Sequence, residues 1–289
     1  MDLDQITPEP QAIEGIFKQY HRFCHSFEDF MSHLLETQFW RNLDFPHNPY
    51  KRVLLELCQK IDDHNNQLDH EPSYHNRSHF IDVCISLSLL LKSESKFTED
   101  YSHTVHWILS GQQKWLLLLC AVGHDFGHLG NVNQFPFEIE SGSFELVKKS
   151  LLELPEDHKM ALLNGQQMDD FLEQIKVIIL ATDPQYLPTL TKKIQQSQDS
   201  FIDRLDLMSM LLIEADLMAS IMPNYGKELG QRLSKEWQIS NPTKADLIAS
   251  NEGRKGFLNY VQFLSQHAKV LGIPQILKDS IASVSQSSL

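Results

Sequence analysis

Helical periodicity runs through nearly the whole chain and leaves room for only one fold class. Residues 11–40, "QAIEGIFKQYHRFCHSFEDFMSHLLETQFW", carry apolar side chains at three- and four-residue intervals, the spacing of an amphipathic helix. The pattern recurs in "YKRVLLELCQKIDDH" (50–64), "FIDVCISLSLLLK", "WLLLLCAVGHD", "SFELVKKSLLELP", "MDDFLEQIKVIILA", "FIDRLDLMSMLLIEADLMASIM" and "GFLNYVQFLSQHAKVLG". Breakers separate them: "LDFPHNP" at 43–49, "LDHEPS" at 68–73, "GHLGN" at 127–131, "TDPQ" at 182–185 and "SNPT" at 240–243. Neither an alternating Val- and Thr-rich run nor an internal repeat is visible, so the expected fold is all-α, a multi-helix domain. With 289 residues, 42% hydrophobic content and no Gly/Ser-rich or Pro-rich linker, one main core is expected. Residues 71–289 would form it, and a helical segment over 1–70 would pack on it or support a homodimer.

The formal net charge of −13 argues against a nucleic-acid polymer or an anionic membrane as partner. A small anion still binds such a chain if metal ions supply local positive charge. The longest apolar runs, "WLLLLCAV" and "VIILA", fall short of the roughly 20 residues a membrane helix needs. The acidic, polar start "MDLDQITPEP" is not a Sec-type signal; the expected location is cytoplasmic, with export by another route left open. Cysteines stand at 24, 58, 84 and 120 with no Cys-x-x-Cys pair, and read as buried reduced thiols.

Three stretches carry candidate chemistry. In "SYHNRSHFIDV" (73–83), His75 and His79 are four apart and Asp82 follows three later; on a helix the two histidines would share a face. Alone, they read as a pair satisfied by water or carbonyls. "VGHDFGHLGNVNQF" (122–135) adds His124, Asp125 and His128 after an apolar run, where a carboxylate is costly unless paired or bound to metal. Its glycines at 123, 127 and 130 let backbone approach a site closely. In "LLIEADLMASIM", Glu214 and Asp216 are two apart and point to different sides, so one faces inward and wants a cation. "ILATDPQ" ends in Thr182 and Asp183 and by itself is only a helix stop. His21, His25 and His33 suggest a solvated or packing face rather than a metal cluster. Together, His79, His124, Asp125 and Asp216 make a ligand set with positions left open for water, as at a catalytic metal. Asp125 can bridge two ions about 3.5–4 Å apart, which activates water at neutral pH. His75 is then free to protonate a leaving oxygen.

"GHDFGH" with upstream His79 and downstream Asp216 is similar to the HD superfamily of metal-dependent phosphohydrolases. "YHNRSHFIDV", "HDFGHLGNVNQF", "ILATD", "EADL" and "GFLNYV" (256–261) together resemble, in order, the class I cyclic nucleotide phosphodiesterases from about residue 70 to 262. The resemblance implies that His75 is the general acid and that His79, His124, Asp125 and Asp216 hold a tight zinc. Asp125 would bridge to a second ion, magnesium or manganese, which His128, Glu140 and Thr182 reach through water. Around Glu140, "EIESGSF" lacks the family's His pair. Tyr74 and Phe257 would meet the substrate, Phe257 by stacking on a purine. Two positions depart from the family: Arg254 stands where a base-reading Gln is usual, and Ala219 where an Asn is. A guanidinium only donates, which suits phosphate, carboxylate or guanine O6 and N7.

The implied activity is hydrolysis of a 3′,5′-cyclic nucleotide, cyclic AMP or cyclic GMP, to its 5′-monophosphate. Two alternatives stand beside it. The same centre acts on another phosphoester, with Arg254 holding an anionic group, or the chain binds a nucleotide without turnover.

Overall fold

The structure, a computed structural model, describes residues 9–97, 107–196 and 202–286; residues 1–8, which carry most of the segment read for a signal, lie outside them. Among the described residues there are sixteen α-helices and no strand. Three helices are buried almost all round and form the centre: α5 (Arg77–Lys92), α6 (Gly111–Gly123) and α11 (Arg204–Met218). Every residue of α5 from His79 to Leu91 is buried, and a helix apolar on all faces belongs in an interior. α5 packs along both α6 and α11. Each is started by a polar cap: the Asn76 side chain accepts from Ser78 N–H, Ser110 and Gln113 form a reciprocal capping box, and Asp203 accepts from two amides.

The 11–40 stretch folds as three helices rather than one: α1 (Pro10–Phe23), α2 (Phe27–Leu35) and α3 (Gln38–Asn42). The break comes from Ser26, whose hydroxyl accepts the Asp29 N–H at 2.9 Å and so starts a new helix. Longer-range caps then fasten these helices to the rest. On α4 (Pro49–Asn66), Asp62 accepts the amides of Phe27 and Glu28, each at 3.0 Å, at the start of α2. From α1, Glu14 accepts the amides of Asn224 and Tyr225 at 2.9 and 3.1 Å. Those amides open α12 (Tyr225–Trp237), whose own N-cap side chain makes no capping bond. Carboxylates at these positions satisfy amides that have no intrahelical partner and oppose the positive end of the helix dipole.

Asp82 does not join the histidines it follows in sequence. It accepts from the Tyr225 hydroxyl at 2.8 Å and pairs with His21 of α1 at 2.9 Å. The N-terminal helices thereby share one buried apolar cluster with the centre, running from Ile13 to Ile276. Cys58, Cys84 and Cys120 are buried as expected, whereas Cys24 is only half-buried, because it caps the end of α1 at a surface corner.

The stretch over 256–272 also breaks, into α14 (Asn251–Tyr260) and α15 (Gln266–Val270). Glu214 explains the break. It is fully buried on α11 and accepts the amides of Leu264 and Ser265 at 2.6 and 2.8 Å, together with the Ser265 hydroxyl. The expectation that the inward carboxylate of this helix needs a cation is corrected here: main-chain donors satisfy it.

Burial pushes the Glu214 carboxyl up to about 7 against those three hydrogen bonds. A carboxyl raised above its unfolded value stabilises the fold fully in acid and loses that contribution as pH climbs through 7. Glu214→Gln keeps an acceptor oxygen and removes the titration. Between pH 5 and 8 the unfolding free energy of wild type should therefore fall by on the order of 2–3 kcal/mol relative to the variant. Urea denaturation at both pH values checks this; a constant difference would contradict it.

Candidate functional site

The three central helices bring their polar residues to one place. His79 sits in the first turn of α5, His124 caps the end of α6 with Asp125 just beyond it, and Asp216 lies in the last turn of α11. His79 Nε2 is 3.2 Å from Asp125 Oδ2 and 3.1 Å from Asp216 Oδ1. His124 Nε2 is 3.3 Å from Asp125 Oδ2, 3.9 Å from Asp216 Oδ1 and 3.4 Å from His79 Nε2. Ligand atoms about 2.0–2.2 Å from one ion at tetrahedral corners lie roughly 3.3–3.6 Å apart, so the spacing of His79, His124 and Asp125 fits a divalent cation, with Asp216 Oδ1 beside His79. The α6 and α11 ends carry the negative pole of their dipoles, which favours one further.

The tautomers agree with that reading. His124 Nδ1 donates to the Ala121 carbonyl at 2.9 Å, which leaves the Nε2 lone pair for a ligand role. Burial pulls the His79 imidazole down, but hydrogen bonds to Asp125 and Asp216 and their charges hold it up at about 10. His124 is raised in the same way. Against its own burial, Asp125 is held well below the usual carboxylate range by His124 and His79.

His75 does not share a helix with His79. Asn76 caps α5, so His75 lies in the turn before it, and its placement comes from Glu236 near the end of α12. Glu236 Oε1 accepts from His75 Nδ1 at 2.5 Å, and Oε2 accepts the amides of Tyr74 and His75 at 2.7 and 3.0 Å. Burial pulls the Glu236 carboxyl up, yet the hydrogen bond and charge of His75 and the two amides leave it lowered overall. With Nδ1 committed, Nε2 is the His75 nitrogen left for a ligand. Gly130 permits the approach: it has φ +80, and a Cβ there would lie 2.7 Å from Glu236 Cγ.

The His128 ring stacks on His75 with centroids 3.7 Å apart. Its Nδ1 accepts the Gly130 amide at 2.9 Å, and burial followed by the His75 charge pulls the ring down to about 3. It is therefore neutral, with Nε2–H as its donor. Glu140 is buried, and its Oε1 and Oε2 accept from Asn133 Nδ2 at 3.2 and 2.9 Å; burial pushes its carboxyl up to about 7. The Thr182 hydroxyl donates to the Ile179 carbonyl at 2.8 Å and keeps its lone pairs for a partner. Next to it, buried Asp183 accepts the Phe137 amide at 2.8 Å and so fastens the start of α7 (Glu138–Leu152), where Phe137 adopts a left-handed conformation.

A cleft of about 380 Å³ opens beside these groups and is lined by His75, Asp125, Asp216, Tyr74, Arg254 and Phe257, among others. The Tyr74 hydroxyl lies 3.0 Å from Ser220 Oγ. Arg254 lines the cleft 5.8 Å from the Phe257 ring centroid, but it is not a free anion clamp. Two of its nitrogens donate to the carbonyls of Ser220 and Met222, the latter at 3.0 Å, and burial pulls its pKa down to about 10. Gly226 makes room for this brace, since a Cβ there would meet the Ser220 carbonyl at 2.3 Å and Arg254 Nη2 at 2.5 Å. Ala219 is buried in the short turn Ala219–Ile221 after α11.

Sequence reasoning missed Glu236, Asn133, Asp183 and Ser220. "LSKEWQ" around Glu236 reads like any solvated helix face, and nothing local reveals a partner 161 residues away. Asn133 and Asp183 did fall inside singled-out motifs, where a polar residue after a buried run was the available signal.

Over residues 74–242 the chain matches the 3′5′-cyclic nucleotide phosphodiesterase family model. That span holds His75, the quartet and Glu236, and ends before Arg254 and Phe257. The structure is similar to the phosphodiesterase domain of the RhoPDE fusion protein from the choanoflagellate Salpingoeca rosetta, with a TM-score of 0.62 and 21% identity over 99% of this chain and 93% of that one. At that identity the likeness is one of fold. No curated protein sequence matches the chain. With more than half its length in the family match and the helical fold of a phosphodiesterase domain, the chain belongs to the 3′5′-cyclic nucleotide phosphodiesterase family, hydrolases of phosphodiester bonds.

Proposed function

We propose that the protein hydrolyses a 3′,5′-cyclic nucleotide to its 5′-monophosphate, with His75 as general acid. One observation carries this: the ring nitrogens of His79 and His124 lie 3.1–3.9 Å from carboxylate oxygens of Asp125 and Asp216, and both aspartates line the same cleft as an oriented histidine. His79, His124, Asp125 and Asp216 would hold a zinc-class ion, with Asp125 shared by a second ion such as magnesium or manganese. Bound divalent ions would polarise the phosphate and bring the pKa of coordinated water towards neutrality. The rest of the work falls to the chain. Glu236 fixes the His75 ring and balances its positive charge, and His75 Nε2–H delivers a proton to the departing O3′. His128 Nε2–H, Glu140 and Thr182 offer one donor and acceptors to water around the second ion. Phe257 provides a stacking face for the base.

Arg254 favours a base that presents acceptors. Adenine needs an acceptor for its N6 amine, whereas guanine shows O6 and N7, and the remaining guanidinium hydrogens only donate. The proposed preference is cyclic GMP over cyclic AMP. Purified protein given Mg²⁺ or Mn²⁺ should cleave both, with kcat/KM for cyclic GMP about tenfold higher; no cleavage of either at high enzyme concentration overturns the proposal. Arg254→Gln should shift the ratio towards cyclic AMP, and an unchanged ratio removes Arg254 from base reading.

His75→Ala should retain bound metal while kcat drops about 10²- to 10⁴-fold. Asp125→Ala should lose metal and thermal stability together, because metal binding is coupled to folding. Elemental analysis with thermal melts separates the two, and equal metal loss in both variants refutes the division of roles. Glu236→Gln should lower kcat at least tenfold with KM and metal content near wild type, since it removes the charge that holds the acid and not a substrate contact. A fall confined to KM would contradict that role.

A further inference from the structure

The three N-terminal histidines that looked alike in sequence have separate fates. His21 pairs with Asp82 and His25 is exposed, while His33 meets Cys24 and Asp29. The thiol, a carboxylate oxygen of Asp29 and a ring nitrogen of His33 all lie within 4.8 Å of one another. Cys24 ends α1, and Asp29 and His33 are one turn apart on α2, so the cluster spans a chain corner rather than a single helix face. Asp29 Oδ2 accepts the His25 amide at 3.1 Å. His33 Nδ1 donates to the Asp29 carbonyl at 2.8 Å, so Nε2 is the ring nitrogen with a lone pair for an ion.

We propose that Cys24, Asp29 and His33 form a second metal site, separate from the catalytic quartet, for a thiophilic divalent cation of the zinc class. Sulfur, imidazole nitrogen and carboxylate oxygen together are the donor set zinc takes, and thiolate excludes magnesium and calcium from serious competition. The His33 and Asp29 side chains are 65% and 36% exposed, so an ion reaches them without opening the core. A groove of about 1200 Å³, lined by Cys24, His33, Tyr20 and Arg41 among others, leaves one side open for water as the fourth ligand. An ion there would tie the end of α1 to α2. Because α1 grips α5 through His21 and caps α12 through Glu14, that tie would stiffen the N-terminal cover of the catalytic helices.

Cobalt(II) titrated into the full chain is the probe. The quartet contains no sulfur, and Cys58, Cys84 and Cys120 are buried, so a near-ultraviolet thiolate-to-cobalt charge-transfer band reads Cys24 alone. A saturable band is expected, abolished in Cys24→Ser and requiring at least tenfold more cobalt in His33→Ala. Both variants should hydrolyse substrate within twofold of wild type. Absence of the band at saturating cobalt, its survival in Cys24→Ser, or its indifference to His33→Ala would overturn the proposal. The readout does not use activity, so it stands or falls apart from the proposed reaction.

Discussion

Two carboxylates and two imidazoles packed at the ends of three buried helices are the feature around which this molecule is arranged. Holding half-buried Asp125 and Asp216 side by side at the ends of apolar helices is costly unless positive charge lies beside them. The two carboxylates raise both imidazoles above their usual range, His79 to about 10. A divalent cation satisfies the same demand with fixed geometry. Everything the helices do before that point, from the all-round burial of α5 to the capping of α6 and α11, brings those four side chains to one spot.

Five other carboxylates share a second role. Glu14, Asp62, Asp183, Glu214 and Glu236 all accept main-chain amides from distant segments. Helix starts and turns leave N–H groups without partners, and a carboxylate accepts two or more at once. Each such contact fixes the position of a loop or helix end. Two of them bear directly on the cleft: Asp183 anchors the approach to α7 with Glu140, and Glu236 sets His75. The N-terminal helices therefore do more than cover apolar surface, since Glu14 organises the start of the helix whose far end carries Glu236.

On the proposed reading, reaction class and substrate choice would rest on different parts of the molecule. The quartet and His75, which would set the former, lie inside the span that matches the phosphodiesterase family. The α14 residue proposed to bear on the latter, Arg254, lies beyond that span and spends two nitrogens bracing the turn at Ser220 and Met222. A side chain half committed to structure offers fewer groups to a ligand, and those it still offers are all donors.

The sequence by itself determined the all-α class, because apolar spacing of three and four residues dictates which face each helix buries. It also pointed to the quartet: Asp125 and Asp216 end or interrupt apolar runs where an unpaired carboxylate is costly, and His79 and His124 join them through the order of the motifs. Tertiary structure alone decided which polar residues stay apart from them. Asp82, three residues from His79, turns to α1 and α12; Glu214, two residues from Asp216, turns to the 264–265 amides; His75 leaves the helix and answers to Glu236. The reason is physical: periodicity encodes direction around one helix axis, whereas a hydrogen-bond partner 50 or 161 residues away is fixed only when helices pack.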